Sequence, residues 1–128
     1  MKSIFYICLI FTIISCSYSY KKNCDSVRNG HFIFNSSSTK KSYLIDRNDS
    51  VQYETRKENG RRWRFKITWI GECKYNLNYL DQDKGDTDEV FFKELDFKIL
   101  KVSKRYYVFS MSVPNIKKEL VDTIWKLN

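Results

Sequence analysis

Arg47, Gln52 and Glu54 are the residues whose types and spacing come nearest to a binding chemistry. A guanidinium, a carboxamide and a carboxylate on one sheet face can orient a ligand that carries a carboxylate or a polar headgroup. They fall on one face if Ser42–Arg47 and Ser50–Arg56 are strands joined at Asn48-Asp49, two residues that tolerate positive φ. Arg47 is then expected opposite Ser50, Ile45 opposite Gln52, and Tyr43 opposite Glu54. Leu44, Asp46, Val51 and Tyr53 take the other face. An inward-pointing polar face would line a cavity. A solvated outer face with a cross-strand ion pair, contributing at most about 1 kcal/mol, is the commoner outcome for such a set.

Catalytic chemistry has little to stand on. His31 is the single histidine, no serine sits in a Gly-x-Ser-x-Gly elbow, and no glycine-rich phosphate loop occurs. Asp81, Asp83, Asp86, Asp88 and Glu89 make a carboxylate-rich stretch whose spacing is not that of an EF-hand; it reads as a solvated acidic turn. No metal or cofactor site is expected, and the protein is not expected to be an enzyme.

The amino end reads as an export signal over residues 1–19, leaving one domain over 20–128. Lys2 supplies the positive start, Ile4 to Ile14 the apolar run, and Ser15, Ser17 and Ser19 the small residues. The run is shorter than the roughly 17–25 residues of a spanning helix. Two ends compete. Ile13-Ile14-Ser15-Cys16 fits a lipobox, with a lipidated Cys16 starting the mature chain. Cleavage after Ser19 would instead leave Tyr20 first. Either way the expected location is the periplasm or, with an acylated Cys16, the outer membrane.

Four cysteines occur in the chain. Cys8 leaves with the signal and Cys16 leaves or is acylated. Cys24 and Cys73 remain as a pair in an oxidising compartment, which reads as one disulfide, with two buried free thiols as the alternative. A domain of about 110 residues has a limited core, so a bridge and a heavy aromatic load both matter.

The strand pattern is strongest between Trp63 and Tyr79. Trp63, Phe65, Ile67, Trp69, Cys73, Tyr75, Leu77 and Tyr79 share odd parity, with mostly polar residues between them. A single strand there would be about 56 Å long, so the chain must turn near Gly71. Keeping Trp69 and Cys73 on one face requires a loop of odd length, most simply Ile70-Gly71-Glu72. Trp69 and Tyr75 belong to an aromatic stripe that is either a ligand wall or, as is commoner, core. His31–Phe34 reads as a first strand, Asn35–Lys41 as a polar loop and Asp81–Asp88 as an acidic loop. Val90–Val102 and Tyr106–Val113 read as a hairpin, and a closing strand starts from about Leu120. The expected fold is all-β: an antiparallel meander of about eight strands, closing into a small barrel.

Several of these residues carry a family resemblance. They are Cys24, Gly30-His31-Phe32, Ile45-Asp46-Arg47, Gln52-Tyr53-Glu54, Ile67-Thr68-Trp69-Ile70 and Cys73-Lys74-Tyr75-Asn76-Leu77. In this order they resemble a family of small exported proteins of Gram-negative bacteria, some of which bear labels borrowed from topoisomerases. The resemblance implies a compact β fold and a Cys24–Cys73 bridge, and it implies no activity. The layout is also similar to lipocalin-like barrels, although Gly30-His31-Phe32 stands where those have Gly-x-Trp, and a shared fold carries no function.

The formal charge is +8, with clusters at Lys21-Lys22, Lys40-Lys41, Arg61-Arg62 and Lys117-Lys118. For an exported protein an anionic envelope surface is a likelier counterpart than nucleic acid, and a merely solvated basic face is commoner than either. The sequence therefore points to a non-catalytic exported protein. It either holds a small apolar or amphipathic ligand in its barrel or has a filled core and acts through its surface in the cell envelope.

Overall fold

The computed structural model describes residues 23–83 and 93–127. The expected export signal with Cys16, residues 84–88 of the expected acidic loop and residues 90–92 of the expected sixth strand lie outside the described residues. A short 3₁₀ turn, Cys24–Val27, leads into eight strands: β1 (Gly30–Asn35), β2 (Ser42–Arg47), β3 (Val51–Arg56), β4 (Arg62–Trp69), β5 (Lys74–Gln82), β6 (Glu94–Val102), β7 (Tyr106–Ser112) and β8 (Glu119–Lys126). They form a closed barrel in sequence order, every neighbouring pair antiparallel, with β8 returning to β1. The expected all-β meander and its closure are both present.

Alternation selects the core. Phe32, Ile45, Trp63, Phe65, Ile67, Tyr75, Leu77, Phe97, Ile99, Tyr107, Phe109 and Ile124 are buried in one cluster. Two irregularities reset the parity. Between Ile99 and Lys101 the β6–β7 register shifts, so that Val102 is buried and Lys101 exposed. Between Arg64 and Phe65 the β4–β5 register skips Leu80, which is left exposed, while Gln82 comes opposite Trp63 and accepts from its Nε1 at 2.9 Å.

Two turns differ from expectation by a slip that keeps the face. In β2–β3 the pairs are Arg47↔Gln52, Ile45↔Glu54 and Tyr43↔Arg56, not Arg47 with Ser50. The Asn48 N–H donates to the Val51 carbonyl at 3.0 Å, so the loop residues are Asp49 and Ser50. Asn48 is retained before the loop because its Oδ1 accepts from the backbone N–H groups of Ser50 and Val51, at 3.0 and 2.8 Å. In β4–β5 the loop has three residues, as parity demands, but they are Gly71-Glu72-Cys73. Ile70 N–H donates to Lys74 O at 2.8 Å, and Trp69 pairs with Tyr75. Gly71 has φ +89°, a conformation that favours glycine. Asp81 is not in a loop: it pairs with Arg64 at the end of β5.

One end of the barrel carries the β2–β3, β4–β5 and β6–β7 turns, and there the 3₁₀ turn acts as a stopper. Cys24 is disulfide-bonded to Cys73 in the β4–β5 turn. Val27 and Cys24 are buried within the core cluster, and Arg28 Nη2 donates to the Gly71 carbonyl at 3.2 Å. The bridge closes a separation of 49 residues, which the chain-entropy account values at about 4 kcal/mol. Replacing both cysteines with serine is expected to lower stability by about 2–5 kcal/mol, seen as a melting temperature roughly 10–20 °C lower in calorimetry. An unchanged melting temperature would mean that the stopper seats without the bridge.

Candidate functional site

The polar face of β2 and β3 points into the barrel. Arg47 is 5% exposed and Gln52 2%. This inward arrangement is the less common outcome for such a set, and the contacts of Arg47 explain how it is tolerated. Its Nε donates to Gln52 Oε1 at 2.8 Å and its Nη1 to the Val27 carbonyl at 2.8 Å. Its Nη2 donates to the hydroxyls of Tyr107 at 2.8 Å and Tyr75 at 3.2 Å. Those two hydroxyls lie 3.2 Å apart. The guanidinium carbon sits 5.0 Å from the Phe32 ring centroid, 4.8 Å from Tyr75 and 5.7 Å from Tyr107. A buried cation is thus surrounded by a carbonyl, a carboxamide, two phenols and three aromatic rings.

Among the described residues no carboxylate hydrogen-bonds Arg47 directly. Glu54 reaches it through a relay, since Gln52 Nε2 donates to Glu54 Oε1 at 2.8 Å while Gln52 Oε1 faces Arg47. Burial pushes the Glu54 carboxyl above its ordinary value, against the Gln52 hydrogen bond and the Arg47 charge, which pull it down. Burial also pushes the Tyr75 phenol well up, so it stays neutral. For Arg47, burial works to lower the pKa, but Tyr107 and Tyr75 outweigh it and the net direction is up.

The five residues expected to form a ligand site are therefore close together. Arg47 contacts Gln52 and Tyr75 directly, Glu54 lies one hydrogen bond farther, and the Trp69 ring lies 4.8 Å from that of Tyr75. Trp69 is half-buried, with the Arg28 guanidinium 4.8 Å over its ring. Among the described residues no partner bonds its buried Nε1. Tyr107 and Val27 are the members that sequence reading missed. Tyr107 sits in the clean alternation of β7 and reads as one more core ring. Val27 contributes a main-chain carbonyl, which no side-chain pattern announces.

The remaining polar groups are used locally. His31 Nδ1 contacts Asp46 Oδ1 on the outer surface. Asp83 Oδ1 accepts from the Arg62 N–H at 2.9 Å. Among the described residues no group of His, Cys, Asp and Glu could hold a metal ion. A groove of about 610 Å³ lies against outward-facing Lys74, Asp96, Lys98 and Ser112 and the β7–β8 connection, outside the barrel. Comparisons with protein-family models, with curated proteins and with solved structures gave no match.

Two outcomes follow from the buried network. Arg47→Met leaves the Val27 carbonyl and Gln52 Oε1 without their donor and is expected to cost about 2–4 kcal/mol, read from the urea midpoint at an unchanged slope. For Glu54 the folded pKa lies above the ordinary 4.5. The folded chain then binds more protons than the unfolded chain between those two values. The Glu54 contribution is thus most favourable below pH 4.5, falls as pH rises through that window and is level above it. Glu54→Gln, which can still accept from Gln52, is expected to remove this slope in pH-dependent unfolding. An unaltered slope would place the titrating group elsewhere.

Proposed function

We propose that this is an exported, non-catalytic protein of the cell envelope that acts through its outer surface, with a barrel interior serving as a packed scaffold. The observation that carries this reading is the occupancy of Arg47. The guanidinium is bonded to Gln52, Val27, Tyr75 and Tyr107 within the chain. A ligand carboxylate entering the barrel would have to displace a carbonyl held by the disulfide-tied stopper, or separate two phenols already in contact with each other. Trp63, Phe65, Phe109 and Ile99 occupy the rest of the interior at 2% exposure or less. The ligand-holding alternative keeps the same residues but needs the stopper to move.

The export signal and the lipobox at Ile13-Ile14-Ser15-Cys16 support the location, and the single histidine, His31, contacting Asp46 on the outer surface, gives the non-catalytic reading its support. The meander and the Cys24–Cys73 bridge agree with what the resemblance to small exported Gram-negative proteins implies, without extending to an activity.

Native mass spectrometry of the protein taken from its own envelope tests the reading. The expected species is the mature chain with no stoichiometric small molecule, carrying a diacylglyceryl increment if Cys16 is its first residue. A small molecule that stays bound in the native spectrum, is released on denaturation and is lost on Arg47→Met would replace the packed scaffold with a ligand-holding barrel.

A further inference from the structure

Apolar side chains are left on the outer face at the seam of β7 and β8. The register Tyr106↔Trp125 and Val108↔Thr123 turns these residues outward, since the intervening Tyr107↔Ile124 pair is buried; Val121 follows on the same side of β8, opposite Ser110, which is itself buried. Val121 is 57% exposed, Trp125 44% and Leu127 43%. The rings of Tyr106 and Trp125 lie against each other at 5.1 Å, and Ile33 pairs with Trp125 from β1.

Cations rim this face toward the stoppered end. Lys104 and Arg105 are exposed in the β6–β7 turn, and Lys101 Nζ lies 5.6 Å over the Tyr106 ring. The Lys126 N–H donates to the Arg105 carbonyl at 2.7 Å, joining the turn to the end of β8. From Phe97 to Lys118 the sequence contains no carboxylate at all. Asp122, on β8, pairs in register with buried Phe109 and accepts from Ser37 Oγ at 3.4 Å, away from the outward row.

The chain also arrives here. Lys126 Nζ donates to Ser26 Oγ at 3.4 Å, which places the 3₁₀ turn and the first described residue, Asn23, beside the cationic rim. Lys21 and Lys22 come immediately before, and Cys16 stands seven positions before Asn23 in sequence. Even fully extended, seven residues span only about 25 Å. A lipid on Cys16 would hold this end of the barrel near the bilayer.

We propose that Tyr106, Val121, Trp125 and Leu127, rimmed by Lys101, Lys104, Arg105 and Lys126, form a docking face for an anionic lipid bilayer. This deepens the envelope reading and rests on the export signal. Interfacial tyrosine and tryptophan with flanking cations suit the headgroup region, where the rings meet the acyl boundary and the ammonium groups meet lipid phosphates. Basic residues next to an acyl anchor provide the second signal that strengthens membrane attachment. The 610 Å³ groove on the neighbouring face carries lysines too, but Asp96 and Glu119 stand among them, and Glu119 lies at the end of the β7–β8 seam farthest from the Tyr106–Trp125 pair.

The test uses the unacylated mature chain from Tyr20, which contains every described element, and sedimentation with vesicles. Vesicles of phosphatidylcholine with roughly one-third phosphatidylglycerol should bind it, and pure phosphatidylcholine should bind it far less. Lys104→Glu with Arg105→Glu is expected to weaken binding at least about tenfold. Lys117→Glu with Lys118→Glu makes the same change in net charge elsewhere and should alter binding by less than about twofold. Trp125→Phe should abolish the part of the tryptophan quenching by brominated lipid that belongs to the docked face, with circular dichroism confirming the fold. Equal losses from the two charge pairs, no preference for anionic vesicles, or quenching unaffected by Trp125→Phe would each overturn the proposal. The intact mass of the envelope protein is a separate readout. An unlipidated chain starting at Tyr20 would remove the anchor while leaving the vesicle result to decide the face.

Discussion

The positive charge of Arg47, which with Arg56 is one of two buried arginines among the described residues, sets conditions that the rest of the fold must meet. Arg47 cannot shed its proton, and removing its charge from water is unfavourable by several kcal/mol unless every donor is met. The partners come from four separate places outside its own strand β2: Gln52 on β3, Tyr75 on β5, Tyr107 on β7 and the Val27 carbonyl before β1. A slip of one residue in any of those strands would turn the partner outward and leave the guanidinium unpaired. Arg47 therefore ties barrel closure to register. A purely apolar interior would admit a two-residue slip, which keeps the face, more readily than this one, in which such a slip moves a partner away from the guanidinium.

The disulfide belongs to the same constraint. Val27 can accept from Arg47 only while the 3₁₀ turn stays seated, and that seat is fixed by Cys24–Cys73 and by Arg28 on the Gly71 carbonyl. The sulfur bridge and the buried cation therefore support one another through three residues of backbone. In a domain this small, where the hydrophobic core alone gives a modest margin, such coupling concentrates stability at the stoppered end. Among the described residues, the opposite end carries the turn at Pro114-Asn115, where Asn115 has φ +68°.

Much of this was readable from the chain, and the part that was not has identifiable causes. Alternation revealed which residues share a face, because a side-chain period of two survives any even slip. It could not fix the partners, because Asn48-Asp49 and Asp49-Ser50 are equally good loop residues, and moving between them shifts each pair by two while keeping the face. The same ambiguity moved the β4–β5 loop to Gly71-Glu72-Cys73. Which face of β2 points inward was unreadable, since Tyr43, Ile45 and Arg47 are hardly more apolar than Leu44 and Asp46 between them. The deciding factor is distant: phenols on β5 and β7 and a carbonyl before β1 that can solvate a cation. Bulges at Arg64/Phe65 and Ile99/Lys101 were hidden as well, because each looks like a local lapse in an otherwise regular pattern.

Closure of the sheet limits how such a molecule can recognise anything. In the closed barrel each of the eight described strands already has both neighbours, so among the described residues no edge is available to take up an extended peptide by main-chain pairing. Recognition must then use side chains on the outer faces or in the turns. On those faces apolar exposure gathers in two places: Ile70 and Ile116 line the groove beside Lys74, while Val121, Trp125 and Leu127 follow one another along β8 and just past its end. Charge is uneven along the chain as well, since the run from Phe97 to Lys118 carries no carboxylate. A rigid interior gives these differences a fixed geometry. Because Lys126 is hydrogen-bonded both to the β6–β7 turn and to the 3₁₀ turn, the cationic rim, the aromatic pair and the point where the chain enters the barrel are held as one surface. The buried guanidinium and the exposed seam are thus linked through the stopper: the residues that satisfy the first also fix the position of the second.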